Sequence, residues 1–462
     1  MNKFTLEGQA LSQVTARYAE LLEKNRRYLW NPFTQMKEYL GDEPVIVERG
    51  EGVKLIDVNG REYYDGNASV WLNVHGHNRR ELNEAITEQL GKIAHSTLLG
   101  AANVPALELA ERLVQLAPDG LNKVFYSDSG AEAVEIALKM AFLYWKHRGR
   151  PEKRLFLGMT NAYHGDTVGA VSVGGIDLFH ASFDALLFET EKVPYPYTYR
   201  YPGSEEACVE ACLEALRRKL EEKADVIAAL IVEPIVQGAG GIITMPPGFL
   251  KAVSDLCKQY DVLWIADEVA VGFGRTGRMF ACEHEGVAPD LMALGKKMTG
   301  GYLPVAATLA TDEIYDAFYG DYAECKTFFH GHSYTGNPLG CAVALANLDL
   351  YEREDLITHV QEVAEHAARE LARFLELPHV GDVRQRGLMI GIELVRDKRT
   401  KEPYPWEEAI GVKVCRRARD LGLITRPLDN VITFLPPLAV RKEETTEMLD
   451  ILYRAIAEVT GR

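Results

Sequence analysis

The feature that most constrains this chain is an alternation running from about residue 75 to residue 341. Apolar runs of β type (KVFY, RLFLGM, VIAALIVEP, DVLWIADE and LMALG) alternate with stretches of amphipathic helical pattern. Alternating strands and helices indicate an α/β fold whose mainly parallel sheet is covered on both faces. In open sheets of this kind, ligands bind beyond the carboxyl ends of the strands. The residues directly after each apolar run are therefore where chemistry is expected.

The flanks read differently. Residues 11–25 have a helical pattern, followed by LWNPFTQM and then VIVERGEGVKLIDVNGREYYDG, which suggests short hairpins turning at Gly50, Gly52 and Asn59-Gly60. Past residue 342 helices and short strands return, ending in a helix over 443–459. With 462 residues, more than one domain is expected. The expected division is 1–74 as the N-terminal segment of a smaller α+β domain, 75–341 as the large domain, and 342–462 as the rest of the smaller one. The formal charge of -16 argues against general nucleic-acid binding, which needs a cationic surface. No run approaches the roughly 18 apolar residues that a membrane span requires. The charged start has no signal-peptide core. Seven cysteines lie without CxxC pairs and read as buried thiols of a cytoplasmic protein.

Five strand ends carry candidate chemistry. Val262 to Ala266 lead into Asp267-Glu268, and a carboxylate at a buried strand end can keep a pyridine nitrogen protonated. The next run, Leu291 to Leu294, leads into Gly295-Lys296-Lys297. A lysine reaching from there into a cleft loses pKa by desolvation and gains nucleophilicity. Each feature alone has a bland counterpart, a loop salt bridge or a solvated lysine pair. Together they place an acid and a lysine on successive strand ends, without choosing between Lys296 and Lys297. Upstream, Ser129-Gly130-Ala131 join a strand to a helix N-terminus, an arrangement that suits a phosphate and equally an ordinary capped helix. Tyr163 follows LFL and could stack on an aromatic ring; Glu233 ends another strand.

Two motifs are weaker. Gly272-Phe273-Gly274-Arg275-Thr276-Gly277 fits GxGxxG. Acids stand where its tight turn should begin, however, and no helix is expected after it, which argues against a nicotinamide dehydrogenase. The pairs His75/His77 and His330/His332 lack a third ligand in sequence, so no metal is expected.

The blocks YSDSGAEAVEIALKMA, AYHGDT, EPIVQGAGG, ADEVAVGFGRTGRMFACEHEGVAPDLMALGKKMTGGYLP and HGHSYTGNPLGCA occur in family order. They resemble those of class III pyridoxal-phosphate aminotransferases. The resemblance implies the fold type I aminotransferase architecture, pyridoxal 5'-phosphate as cofactor, and a homodimer with shared active sites. It implies that Lys296 is the Schiff-base lysine and Asp267 the pyridine-nitrogen partner. Gly130 and Ala131 match the phosphate turn, beside Ser129, and Tyr163 matches the ring-stacking residue. Ser333 matches a hydroxyl that reaches the phosphate from the neighbouring subunit, and Arg426 an arginine that holds the substrate carboxylate.

LWNPFTQM, SVWLNVHGH and TRPLDNVITFLPPL are similar to the biotin-pathway branch. That branch converts 8-amino-7-oxononanoate to 7,8-diaminononanoate. Its adenosylmethionine-using members typically carry Tyr at the slot of Phe33 and Trp at that of Val70, before Trp71. The departures resemble the Bacillus-type branch, where some members take lysine as donor. A broad omega-aminotransferase acting on diamines or amino acids is the alternative. Val271, where threonine is commoner, has no assignable role.

Overall fold

The computed structural model describes residues 3–461, with side chains from residue 15 onward. Its largest sheet has seven strands in the order Leu121–Ser127, Ala306–Thr311, Leu291–Leu294, Leu263–Asp267, Ile227–Val232, Leu155–Met159, Thr190–Val193. Ala306–Thr311 runs antiparallel to both neighbours and all other pairings are parallel. This antiparallel strand, AATLAT, escaped the sequence reading because small residues give it no strong β signature.

The central strands are buried end to end, and their side chains alternate between two cores. Ile231, Ile265 and Ala293 pack with Val134, Leu138 and Trp145 of helix Gly130–His147. Leu230, Trp264 and Met292 face the other way, into the cluster that holds Leu216 and Leu220 of helix Glu205–Lys223 and Val253 of helix Phe249–Gln259. Burying each such side chain stabilises the fold by about 1.5–3 kcal/mol. A double-sided core fixes register, since a one-residue slip would exchange the faces.

The two termini share a second sheet. The hairpin strands Val47–Glu51, Lys54–Asp57 and Glu62–Asp65 are joined by Leu423–Ile424, which pairs parallel with Glu62–Asp65. A third sheet holds Val380–Arg386, Met389–Asp397, Val431–Phe434 and Pro427–Leu428. The N-terminal helix spans Lys3–Tyr28 and the C-terminal one Lys442–Thr460, both a little longer than expected. Among the described residues no helix is long and apolar enough to cross a membrane. Six cysteines are buried as expected; Cys325 is exposed.

Candidate active site

At the carboxyl ends of Leu263–Asp267 and Leu291–Leu294 the two acids and the two lysines take different places. Asp267 and Glu268 are neighbours, so their side chains leave the strand on opposite faces. Asp267 Oδ2 accepts a hydrogen bond from His164 Nδ1 at 2.7 Å, and Oδ1 accepts one from the Val269 N–H at 3.1 Å. Glu268 turns away and accepts the N–H groups of Ala281 and Cys282, each at 2.9 Å. Burial pushes the Glu268 carboxyl up to about 7, against the pull of those two backbone donors.

The lysines separate in the 3-10 turn Lys296–Thr299 that follows the next strand. Lys297 is fully buried, and its Nζ donates to the Ala270 carbonyl at 2.8 Å. Asn347 Nδ2 holds the carbonyls of Lys297 and Met298, each at 3.0 Å, which fixes this turn. Lys296, at φ 45°, points its Nζ to 5.8 Å from the Trp71 ring centroid. It makes no hydrogen bond or ion pair with any described residue. Burial lowers its pKa, while Asp267, Glu233 and Asp166 pull it back up. Lys296 is thus an unbonded amine facing three carboxylates.

The strand-to-helix turn upstream is packed against this point. A Cβ on Gly130 would lie 2.4 Å from Val269 Cγ1, and one on Gly295 would lie 3.3 Å from the Gly130 Cα. A Cβ on Gly165 would lie 2.4 Å from that of Ala131. Only glycines let these three loops converge. Ser129 and Glu132 form a capping box over helix Gly130–His147, and Glu132 Oε2 takes the N–H groups of Asp128 and Ser129 at 2.8 and 2.9 Å. The N–H groups of Gly130 and Ala131 keep no partner among the described residues, so the helix N-terminus presents free donors to an anion. The capped-helix and phosphate readings of this turn are therefore compatible.

His332 reaches this same corner. It stands with Asp128 and Glu132, their ligand atoms within 4.8 Å of one another, a proximity that the spacing of the histidines did not reveal. Ser333 is exposed and makes no contact at this corner within its own chain.

Aromatic groups border the cleft. Tyr163 sits between strand ends, its N–H donating to Glu233 Oε1 at 3.0 Å and its hydroxyl to Asp166 Oδ2 at 2.7 Å. Phe33 meets the Tyr163 ring edge-on at 6.5 Å and the Phe179 ring at 5.4 Å. Glu233 Oε2 accepts the Gly238 N–H at 2.9 Å; burial and Asp267 push its carboxyl up to about 7. Arg426 is partly buried near Tyr163, and its guanidinium is unpaired among the described residues; burial lowers its pKa.

Val70 and Trp71 lie in the least expected piece of backbone. Ala68, Ser69, Val70 and Trp71 have φ of 43°, 47°, 67° and 70°. They form one left-handed turn, closed by Trp71 N–H to Asn67 O at 2.8 Å and Leu72 N–H to Ala68 O at 2.9 Å. Left-handed backbone costs an L residue about 1–2 kcal/mol, so this turn stores several kcal/mol. Val70 is 47% exposed and Trp71 is buried.

Sequence reasoning missed His164, Asp166, Phe179 and Asp65. The first two were adjacent to Tyr163 in a motif already quoted, and a buried histidine beside a strand-end acid is a recognisable signal. Phe179 and Asp65 carried none.

These groups fit a pyridoxal phosphate. The amine of Lys296 lacks a partner, a buried carboxylate faces the same cleft, and the free N–H groups lie one loop away. The comparisons agree. The model of the class-III aminotransferases matches residues 38–456. The adenosylmethionine-8-amino-7-oxononanoate aminotransferase of Anoxybacillus flavithermus is 57% identical over 96% of this chain and 98% of its own length. The crystal structure of the enzyme of that name from Methanocaldococcus jannaschii superposes with a TM-score of 0.91 at 47% identity, covering 95% of this chain and 99% of that one. The omega transaminase of Pseudomonas jessenii, solved in complex with PMP, gives 0.92 at 34% identity, covering 95% and 98%. The chain belongs to the class-III aminotransferase family and is a pyridoxal-phosphate-dependent transaminase.

Proposed function

We propose that this transaminase aminates 8-amino-7-oxononanoate to 7,8-diaminononanoate for biotin synthesis, with Lys296 as the residue that carries the cofactor. The observation behind the acceptor is full-length similarity, at 57% and 47% identity, to relatives named for it.

Pyridoxal phosphate, when bound, supplies an electron sink for the charge left as a proton departs from the amine-bearing carbon. Lys296 Nζ would tether it and would take up and return that proton; burial lowers the pKa of this amine, which favours its unprotonated, basic form. Asp267, oriented by His164, holds the proton on the pyridine nitrogen. Ser129, Gly130 and Ala131 would hold the phosphate, with Ser333 of the partner subunit adding a hydroxyl. Tyr163 would stack on the ring, and Glu233 holds the Tyr163 and Gly238 backbone in place. Arg426 holds the substrate carboxylate, for which a planar, unpaired guanidinium is suited. Phe33, Val70 and Trp71 line the substrate pocket.

The amino donor is S-adenosylmethionine or L-lysine. The names of the relatives favour the first. Phe33 and Val70, with neither hydroxyl nor large ring, favour the second. Mixing the loaded enzyme with each donor and following the cofactor's absorbance separates them: rapid loss with adenosylmethionine alone excludes lysine. A broad omega-aminotransferase is the second reading, favoured by the 0.92 TM-score to the Pseudomonas jessenii enzyme. It requires turnover of simple diamines at rates matching that of the oxononanoate.

The same reading includes a cytoplasmic homodimer with shared sites. Residues 1–74 and 342–462 would form the smaller domain beside 75–341. The strand Leu423–Ile424 beside Glu62–Asp65 supports the division, and the exposed Ser333 supports the shared site.

A further inference from the structure

We infer that Asp65 and His77 are positioning residues for the transamination: they clamp the left-handed turn Ala68–Trp71 and so set the place of Trp71 over Lys296. Asp65 ends the strand Glu62–Asp65 and is 1% exposed. All of its carboxylate bonds go to the segment that follows. Oδ1 accepts from the Ser69 N–H at 3.0 Å and the Asn67 N–H at 3.3 Å. Oδ2 accepts from the Ser69 hydroxyl and from His77 Nε2, both at 2.9 Å. With Nε2 donating, His77 Nδ1 is free to accept from Asn73 Nδ2 at 3.2 Å, and Asn73 Oδ1 in turn accepts the Gly76 N–H at 2.7 Å.

The clamp is anchored at both ends. His77 is pinned because a Cβ on Gly50 would stand 2.7 Å from its own Cβ, and a backbone bridge joins it to Gly52. The indole of Trp71 is fixed by its Nε1 donating to Asn67 Oδ1 at 3.0 Å, and by Gly238, where a Cβ would lie 2.8 Å from the ring. Between these anchors Ser69 and Val70 are exposed within their own chain, so packing from that chain does not hold their disfavoured backbone. The bonds to Asp65 do. SVWLNVHGH thereby has a use for its second histidine that needs no metal: His77 orients the acid that orients the turn that aims the indole.

Without the clamp the turn relaxes toward right-handed or extended backbone and Trp71 leaves its place. The test is Asp65→Asn in the cofactor-loaded enzyme. Amide exchange of peptides covering residues 66–74 should accelerate by about tenfold or more, with the central sheet unchanged. The acceptor's kcat/KM should fall about 10- to 100-fold, as misplacement by an ångström does, while borohydride still labels Lys296. Ala68→Gly added to Asp65→Asn should restore much of both, because glycine adopts positive φ without cost. Unchanged exchange over 66–74, or no rescue by Ala68→Gly, overturns the proposal. If Asp65→Asn does not accumulate folded, Ser69→Ala, which deletes one bond to Asp65, is read with the same outcomes. The turnover effect rests on Lys296 as the reacting amine; the exchange readout does not, so failure of either is distinguishable.

Discussion

The strand ends at Asp267 and Gly295 and the turn at Ala68–Trp71 converge on one lysine, yet they are held by different means. The strand ends continue regular, doubly buried strands, and Asp267 takes the direction that the pleat dictates. The turn is disfavoured backbone kept in place by its own backbone hydrogen bonds and one buried carboxylate. Groups assigned to the chemistry thus sit at the ends of fully buried strands. Val70, which is assigned to the substrate pocket, sits on a part that one polar substitution can loosen. A family can vary substrate by altering such a turn while leaving the sheet untouched.

Substitutions can break this contrast, from the sheet outward. Lys296→Ala should lower kcat by about 10⁴-fold or more, measured as single turnover with either donor, because tether and proton carrier vanish together. Asp267→Asn should cost on the order of 10²–10⁴-fold in kcat with intact folding, since the amide cannot hold the ring proton; equal loss of thermal stability would instead mark it as structural. Arg426→Ala should raise KM for carboxylate-bearing acceptors by an amount worth about 2–5 kcal/mol and spare amines without a carboxylate.

A smaller effect concerns Glu268, behind the strand. Its carboxyl is raised to about 7 by burial. Between the usual carboxylate range and 7 the unfolded chain has released this proton and the folded one keeps it. Stability should therefore fall as pH rises through that window and level off above it. Glu268→Gln should flatten the slope by about 3 kcal/mol in urea melts taken across the window. Smallest of all, Lys297→Met should change stability by less than about 1.5 kcal/mol and retain activity, because it removes one buried hydrogen bond, to the Ala270 carbonyl, and keeps the apolar volume.

Much of this was legible in the chain. Apolar runs ending in DE and GKK marked both strand ends, and the small residues of SDSGA marked the helix N-terminus, because burial and turn chemistry leave local signatures. What was not legible depends on direction and distance. Asp267 and Glu268 are separated by the face of the pleat that each side chain leaves, and Lys296 and Lys297 by the 3-10 turn Lys296–Thr299, which buries the second amine against the Ala270 carbonyl. The GFGRTG motif was rightly set aside as a dinucleotide turn, yet its use required the fold: Arg275 is buried and donates to the Pro436 carbonyl at 2.6 Å. The left-handed turn was invisible because Ala, Ser, Val and Trp are not residues that signal positive φ. Asp65 and His77, twelve residues apart, meet only through it.

The central claim is that Lys296, and not its neighbour, carries the cofactor. Borohydride reduction of the loaded enzyme, followed by proteolysis and mass mapping, tests it directly. The account predicts the pyridoxyl mass on Lys296 with Lys297 unmodified. Label on Lys297, or on neither, would contradict it.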